Sequence, residues 1–446
     1  MRAQLLKYWE RVRSSFWFLP SLMAAAAVVL AFLTVEFDRS VAHEWLLELD
    51  WVYSGGAEGA SAVLQTIAGS MITIAGVVFS LTLVALSLAS SQFGPRLLRN
   101  FMRDTTNQLV LGTFIATFLY CLLVLRTIRR AEEVVFVPHL SVTLGVVFAL
   151  ASLWVLIYFI HHVSVSIQAD EVVARVGVEL DETMTRLFPE QMGEGCDAPA
   201  QAPPGPDHAE ACIIRAEGDG YLQIVDLKAL MEAAQETDTV LRLARRPGHY
   251  IVHGSPLLSA FPAQGIDADV RAKLQGAFVV GTQRTASQDV EFAVLQLVEI
   301  GTRALSPGVN DPFTAIACID RLGSGLCRLA QRRFPDPCRY DSDGKLRIVA
   351  SAVTFAGIVD AAFNQLRQYA RTSVEVTLRL LETIEVVAAF VTWPDDRAVL
   401  EKHADMIARG AAEALPEAHD RQAVAARYHS AKRLLGSAAR DGLQRA

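Results

Sequence analysis

The sequence predicts a membrane α-helical protein: four transmembrane helices, then a cytoplasmic α+β region in which a small β-rich module precedes a helical domain. Three observations carry this prediction. Of 446 residues, 52% are hydrophobic and only 20% are charged, against about 25% charged in soluble domains. The mean hydropathy is +0.29. The apolar residues are also concentrated: four runs free of charge precede residue 165, and no comparable run follows it. About 20 such residues cross roughly 30 Å of hydrocarbon.

The first run is residues 16–35. A basic start (Arg2, Lys7, Arg11, Arg13) and a Ser40-Val41-Ala42 sequence mimic a signal peptide. The apolar core is too long for that, and Glu36, Asp38 and Arg39 intervene, so a retained helix is expected. The second span fits inside residues 59–95, the third is 109–125 and closes at Arg126, and the fourth is 134–160. Orientation follows the basic residues beside the spans. The N-terminal flank and the second connection (Arg96, Arg99, Arg103) are basic. The first connection has Arg39 among Glu36, Asp38, Glu44, Glu48, Asp50 and Glu58. The third connection dissents, with Arg126, Arg129 and Arg130 beside Glu132 and Glu133. The balance predicts a multi-pass protein of the cell inner membrane with both termini cytoplasmic. Six cysteines (Cys121, Cys196, Cys212, Cys318, Cys327, Cys338) without C-x-x-C spacing suit that reducing compartment. A net charge of −7 argues against nucleic acid as a partner.

The expected domains are a four-helix transmembrane domain (1–165), a linking helix and Pro/Gly-rich linker (166–210), a β-rich module (211–265) and a helical domain (266–446). In the linking helix Val173, Val176, Leu180, Met184 and Leu187 form a narrow seam, suited to the same chain or to a second subunit. Residues 193–206 are rich in Gly, Pro and Ala and read as a linker. Residues 212–214 and 221–225 read as a hairpin around Glu217-Gly218-Asp219-Gly220. Asp226 caps a helix to Glu236, and strands follow at 240–243 and 249–252. Residues 248–257 resemble the tight corner of a small barrel-sandwich module. From Asp267 onward the pattern is helical, with helices expected at 287–305, 313–329, 346–369, 373–391, 395–415 and 417–435.

Two patterns are candidate sites. In span two Thr66, Ser70, Thr73, Ser80, Ser87 and Ser91 fall within about 100° of one another on a helical wheel, with Gly69, Gly76 and Ser90 nearby. Such a stripe packs helices closely or lines a watery path where hydroxyls replace ion hydration. Thr113, Thr117 and Tyr120 of span three share a face placed to meet it. These hydroxyls are the pore-lining candidates. No Asp, Glu, Lys or Arg interrupts any apolar run, which disfavours a proton relay. The carboxylates between residues 36 and 58 read as a wet acidic loop. The second pattern is the loop of Arg303, Ser306, Pro307, Asn310, Asp311 and Pro312. It reads either as an anion-binding loop at a helix N-terminus or as a helical corner capped by Asp-Pro. His161 and His162 read as interfacial anchors, and His249 and His253 sit in a strand–turn where they do not face one another. No metal cluster or cofactor is expected. The G-x-S-x-G, H-E-x-x-H, P-loop and dinucleotide signatures are absent, so no catalytic residue is nominated.

Four stretches carry a resemblance: Ala75-Gly76-Val77-Val78-Phe79-Ser80, Ser91-Gln92-Phe93-Gly94-Pro95-Arg96, Gly220-Tyr221-Leu222-Gln223, and the 304–312 loop. The sequence resembles, over nearly its whole length, an uncharacterised bacterial family of predicted membrane proteins, domain of unknown function 2254. The Pro/Ala-rich insertion at 197–206 departs from it in loop length alone. The resemblance implies an integral inner-membrane protein with a cytoplasmic domain, and it supplies no catalytic residue. Beside it, the residues point to a homo-oligomeric channel or permeation protein lined by span two, with the lipid bilayer and further copies of itself as partners. The alternative is a membrane-anchored sensor or scaffold whose cytoplasmic domain binds a ligand or partner.

Overall fold

The computed structural model describes residues 16–40, 53–94, 104–131, 134–188 and 211–443. Four helices are long and apolar enough to cross a membrane: α1 (Phe18–Ser40), α2 (Ala57–Phe93), α3 (Thr105–Leu125) and α4 (His139–Ser166). They are the four apolar runs with shifted ends. Helix α1 runs on to Ser40 and takes Glu36, Asp38 and Arg39 into its last turns. Helix α4 begins later than read, because Val134–Phe136 (β2) pairs antiparallel with Arg129–Ala131 (β1) and Pro138 stands at the helix N-cap. Arg2, Lys7, Arg11, Arg13, the Val41-Ala42 sequence, Glu44, Glu48, Asp50, Arg96, Arg99, Arg103, Glu132, Glu133, Cys196 and the 193–206 linker lie outside the described residues.

The chain divides into two compact units, residues 1–171 and 172–446. In the first, α3 is the central helix and packs on α1, α2 and α4. Small residues set those approaches. A Cβ on Gly112 of α3 would lie 2.5 Å from the Met23 sulfur and 3.2 Å from the Pro20 Cα of α1. The outer surfaces carry large apolar side chains, among them Phe32 and Leu33 of α1 and Leu150 and Trp154 of α4. Hydrocarbon is the solvent such surfaces require.

The end of the bundle where α1 finishes and α4 starts is closed by Asp38. It is buried, unlike the exposed Glu36 and Glu58, so the reading of a wholly wet acidic loop is corrected there. Its carboxylate accepts from Leu140 N at 3.1 Å, Ser141 N at 2.9 Å and Ser141 Oγ at 2.6 Å. First-turn amides lack partners within their own helix, and a carboxylate there also meets the positive end of the helix dipole. The Tyr120 hydroxyl of α3 donates to Ser141 O at 3.1 Å and lies 3.1 Å from Thr34 Oγ1 of α1. One polar cluster thus joins α1, α3 and α4.

In the second unit α5 (Ala169–Leu187) buries Val173, Val176, Leu180 and Met184 against its own chain. Leu180 and Met184 close on Gly325, and Asp181 pairs with Arg328. Beyond it, two sheets and a helical body form. The five-stranded sheet has the order β3 (Cys212–Arg215), β7 (Pro256–Phe261), β5 (Val240–Leu243), β10 (Leu346–Val349), β9 (Cys338–Tyr340). The three-stranded sheet has the order β6 (Tyr250–Ile251), β4 (Gly220–Val225), β8 (Phe278–Gly281). The expected hairpin of residues 212–214 with 221–225 does not form, since β3 pairs with β7 and β4 with β6 and β8. Gly220, at φ +146°, is seated against β8, where a Cβ would lie 2.6 Å from Gly281 O.

Residues after 265 also contribute strands, so the β region is not confined to 211–265. The expected helix at 346–369 is instead β10 followed by α10 (Phe355–Ala370), which starts where Thr354 Oγ1 accepts from Gly357 N at 3.1 Å. Strand β10 lies parallel to β5. Arg347 locks it there, donating to Asp238 and Asp341 at 2.7 Å each. Between these strands run α6 (Leu227–Glu236), capped by Asp226, and α7 (Ala268–Gly276). The helical body is α8 (Val290–Ala304), α9 (Pro312–Ala330), α10, α11 (Val374–Ala388), α12 (Pro394–Ala414) and α13 (Ala418–Leu443).

Two outcomes follow. Asp38→Ala leaves the amides of Leu140 and Ser141 without this acceptor and lowers the unfolding free energy in mixed micelles by about 1.5–3 kcal/mol, the range for hydrogen bonds to a charged group. Asp38→Asn retains part of it. The second concerns His403 of α12, fully buried, whose Nε2 lies 2.8 Å from Asp360 Oδ1 while Nδ1 has no partner among the described residues. Burial holds its pKa below the ordinary imidazole value, against the pull of Asp360 and with Lys402 and Arg367 adding to the depression. Between the folded and ordinary values the unfolded chain binds more protons, so this contribution to stability is complete above about pH 6.5 and falls as acid is added. Thermal unfolding from pH 7.5 to 5 should lose this component of its acid slope in His403→Gln.

Candidate functional site

Helix α2 carries the first candidate. At 37 residues it is about 55 Å long, more than the roughly 40–45 Å of a whole bilayer. Its buried face is Ala60, Leu64, Ala68, Met71, Ala75 and Val78. The hydroxyls lie on the other side: Thr66, Ser70, Thr73, Ser80, Ser87 and Ser91 are all exposed. Five of them are satisfied within the helix. Thr66, Ser70, Thr73 and Ser80 donate to carbonyls four residues back at 2.7, 2.7, 2.9 and 3.0 Å, and Ser91 donates to Leu88 O at 2.9 Å. Such bonds lower the cost of a hydroxyl in hydrocarbon and leave its lone pairs available outward. A Cβ on Gly69 or Gly76 would meet nothing within 4 Å. The face is therefore open and shallow, with a backbone that a neighbour can approach.

The span-three hydroxyls point elsewhere. Thr113 donates to Leu109 O of its own helix at 2.9 Å. Thr117 is buried, with its Oγ1 3.2 Å from Ser152 Oγ of α4. Tyr120 serves the Asp38 cluster. None of the three is brought to the α2 stripe by these bonds.

At the opposite end from Asp38, Asp104 caps α3. Its Oδ1 accepts from Thr106 N at 2.9 Å and its Oδ2 lies 2.7 Å from His162 Nε2. The Tyr158 ring stacks on His162 with centroids 5.9 Å apart. His162 is thus a partner of a cap, while His161 is exposed. Spacing along the chain gives no sign of this pair, whose members are 58 residues apart.

The second candidate is the corner between α8 and α9. Asp311 Oδ1 accepts from Thr314 N at 3.1 Å and Oδ2 from Thr314 Oγ1 at 2.5 Å. Asp311 N donates to Ala304 O at 2.8 Å, and Ser306 Oγ donates to Arg303 O at 2.6 Å. Asn310 takes the left-handed conformation at φ +50°, which Asn tolerates better than most residues. Pro307 lies within the turn, Pro312 opens α9, and Arg303 pairs with Glu299 at 3.6 Å. These bonds build a capped corner. The first-turn amide that an anion would take at residue 314 is already held by Asp311. Among the described residues no group of His, Cys, Asp and Glu is arranged to hold a metal ion.

Elsewhere, Asp289 caps α8 through Phe292 N at 3.2 Å and pairs with Arg284 at 2.6 Å. Burial raises its pKa against the pull of Arg284. His253 Nδ1 lies 3.0 Å from Glu217 O, and its backbone N–H donates to Asp219.

A family model described as predicted membrane protein, DUF2254, matches residues 13–386. Uncharacterized proteins of Mycobacterium bovis and Mycobacterium tuberculosis are 34% identical to this chain over 380 residues, covering 84% of it and 72% of each relative. No solved structure matches.

Asp311→Ala removes the α9 cap and is expected to lower stability by about 1 kcal/mol in chemical unfolding. Asp311→Asn, which keeps an acceptor at the same place, retains most of it.

Proposed function

The chain belongs to the DUF2254 family of predicted membrane proteins, and we propose that it is a homo-oligomeric permeation protein of the inner membrane whose copies line a shared path with α2. Both termini lie in the cytoplasm in this reading. The observation that supports it is the outward direction of the α2 stripe. A helix bathed only in lipid has no use for a face of hydroxyls and glycines, and on α2 that face runs beside outward apolar groups such as Ile72, Val77 and Val84.

Spacing adds to the argument. Thr66, Thr73, Ser80 and Ser87 recur every seven residues, and Gly69 and Gly76 recur in step with them. A strict seven-residue repeat keeps a seam facing its partner when helices coil left-handedly around one another. Small residues along the seam let the backbones come close, while hydroxyls at its inner edge offer oxygen to a permeating ion or polar solute. Beyond Glu58 no charged residue occurs in α2, which fits a path of weak charge selectivity.

Single cysteines at Thr73, Ser80 and Ser87, in a chain whose native cysteines are replaced, are expected to react with membrane-impermeant thiol reagents. Cysteines at Leu150 and Trp154 should stay protected. Protection at all three α2 positions, with a loop control reacting, rejects the path.

A further inference from the structure

The first unit contains a recess unrelated to the stripe. It lies where α1 and α3 begin and α4 ends, against the C-terminal half of α2. Its cavity volume is about 160 Å³, room for a segment of one chain and less than the roughly 300–1,000 Å³ of a whole small-molecule site. Its walls are apolar: Phe79, Leu83 and Leu86 from α2 and Val163 from α4. Two hydroxyls line it, and both are occupied by their own helices: Thr82 Oγ1 donates to Val78 O at 2.8 Å and Ser166 Oγ to Val163 O at 3.2 Å.

Asn107 is the exception. This side chain of the first turn of α3 lines the recess and is 7% exposed, yet its Oδ1 accepts no hydrogen bond among the described residues. A buried acceptor without a donor is unfavourable, and in an apolar wall a leucine would avoid the cost. What the recess lacks is therefore a donor. Among the described residues that line it there is no Lys or Arg. An ionised carboxylate or phosphate would bring no donor to Asn107 Oδ1.

We propose that this recess binds a bilayer amphiphile, with one apolar chain between α2 and α4 and a hydroxyl or ammonium group donating to Asn107 Oδ1. The polar pair of Asp104 and His162, with Oδ2 and Nε2 2.7 Å apart, stands near it in the chain: Asp104 is three residues before Asn107 and His162 adjoins Val163. The hydroxyl and the ammonium come from different sources, a single-chain alcohol or a phosphatidylethanolamine, which share the donor chemistry.

The test uses the full chain in phosphatidylcholine vesicles, whose headgroup has no such donor. Photoactivatable diazirine analogues of hexadecanol, of phosphatidylethanolamine and of hexadecane are compared. Cross-links are mapped by peptide mass spectrometry, with the lipid-facing Leu150 and Trp154 as reference. At least one donor-bearing probe is expected to label the segments around Leu83 and Val163 two- to tenfold more than the alkane, the range of one net hydrogen bond. Whichever probe does so identifies the source. Unlabelled hexadecanol should compete and hexadecane should not, a comparison that requires no variant. Asn107→Leu should bring the ratio to unity. Equal labelling by donor and alkane probes, labelling no greater than at the reference positions, or a preference that survives Asn107→Leu overturns the proposal.

Discussion

Within hydrocarbon a helix has no water to satisfy the amides of its first turn, and every such group must find an acceptor in the protein. The first unit depends on how it meets that constraint. Asp38, carried on the last turns of α1, supplies its carboxylate to the first turn of α4, and Tyr120 brings α3 into the same cluster. At the other end Asp104 caps its own helix and is held by His162 of α4. A charge at such a site is expensive unless fully hydrogen-bonded. Each carboxylate is tolerable because its partners are fixed by the helices it joins.

These ties fall on α1, α3 and α4. Helix α2 packs on α3 through Ala60, Leu64, Ala68, Met71, Ala75 and Val78 but takes no part in either carboxylate cluster. That leaves two different surfaces on it. The hydroxyl and glycine stripe faces away from the bundle, and Phe79, Leu83 and Leu86 face the recess beside Asn107. The proposed assembly and the proposed amphiphile site thus use separate faces of the same helix.

The second unit is organised by pairings between distant segments. Strand β10 inserts beside β5 in parallel, held by Arg347 between Asp238 and Asp341. Strand β8 completes the smaller sheet against β4, with Gly220 seated on Gly281. The helical body closes through small residues as well: a Cβ on Gly301 would lie 2.8 Å from Leu366, and one on Gly323 would lie 2.6 Å from Thr383. The 304–312 loop is the corner that turns α8 into α9, with Val309 and Phe313 left exposed.

Composition and periodicity alone determined the four spans, because apolar length is a local property. The helices between 290 and 330 and between 374 and 435 were equally legible, since amphipathic spacing, and for α9 the Asp311-Pro312 cap, lie within each segment. The stripe on α2 was visible for the same reason, as six hydroxyls on one helix share a face whatever surrounds them. Which way that face turns was not visible, nor was the destination of Thr117 and Tyr120, because both depend on which helix becomes the neighbour. Asp38 read as one more loop acid, and the pairing of Asp104 with His162 and the bare oxygen of Asn107 left no trace in the spacing. The strand partners of β3, β4 and β10 were also hidden. Burial, strand pairing and hydrogen-bond satisfaction arise between residues far apart in the chain, and only the tertiary structure brings those residues together.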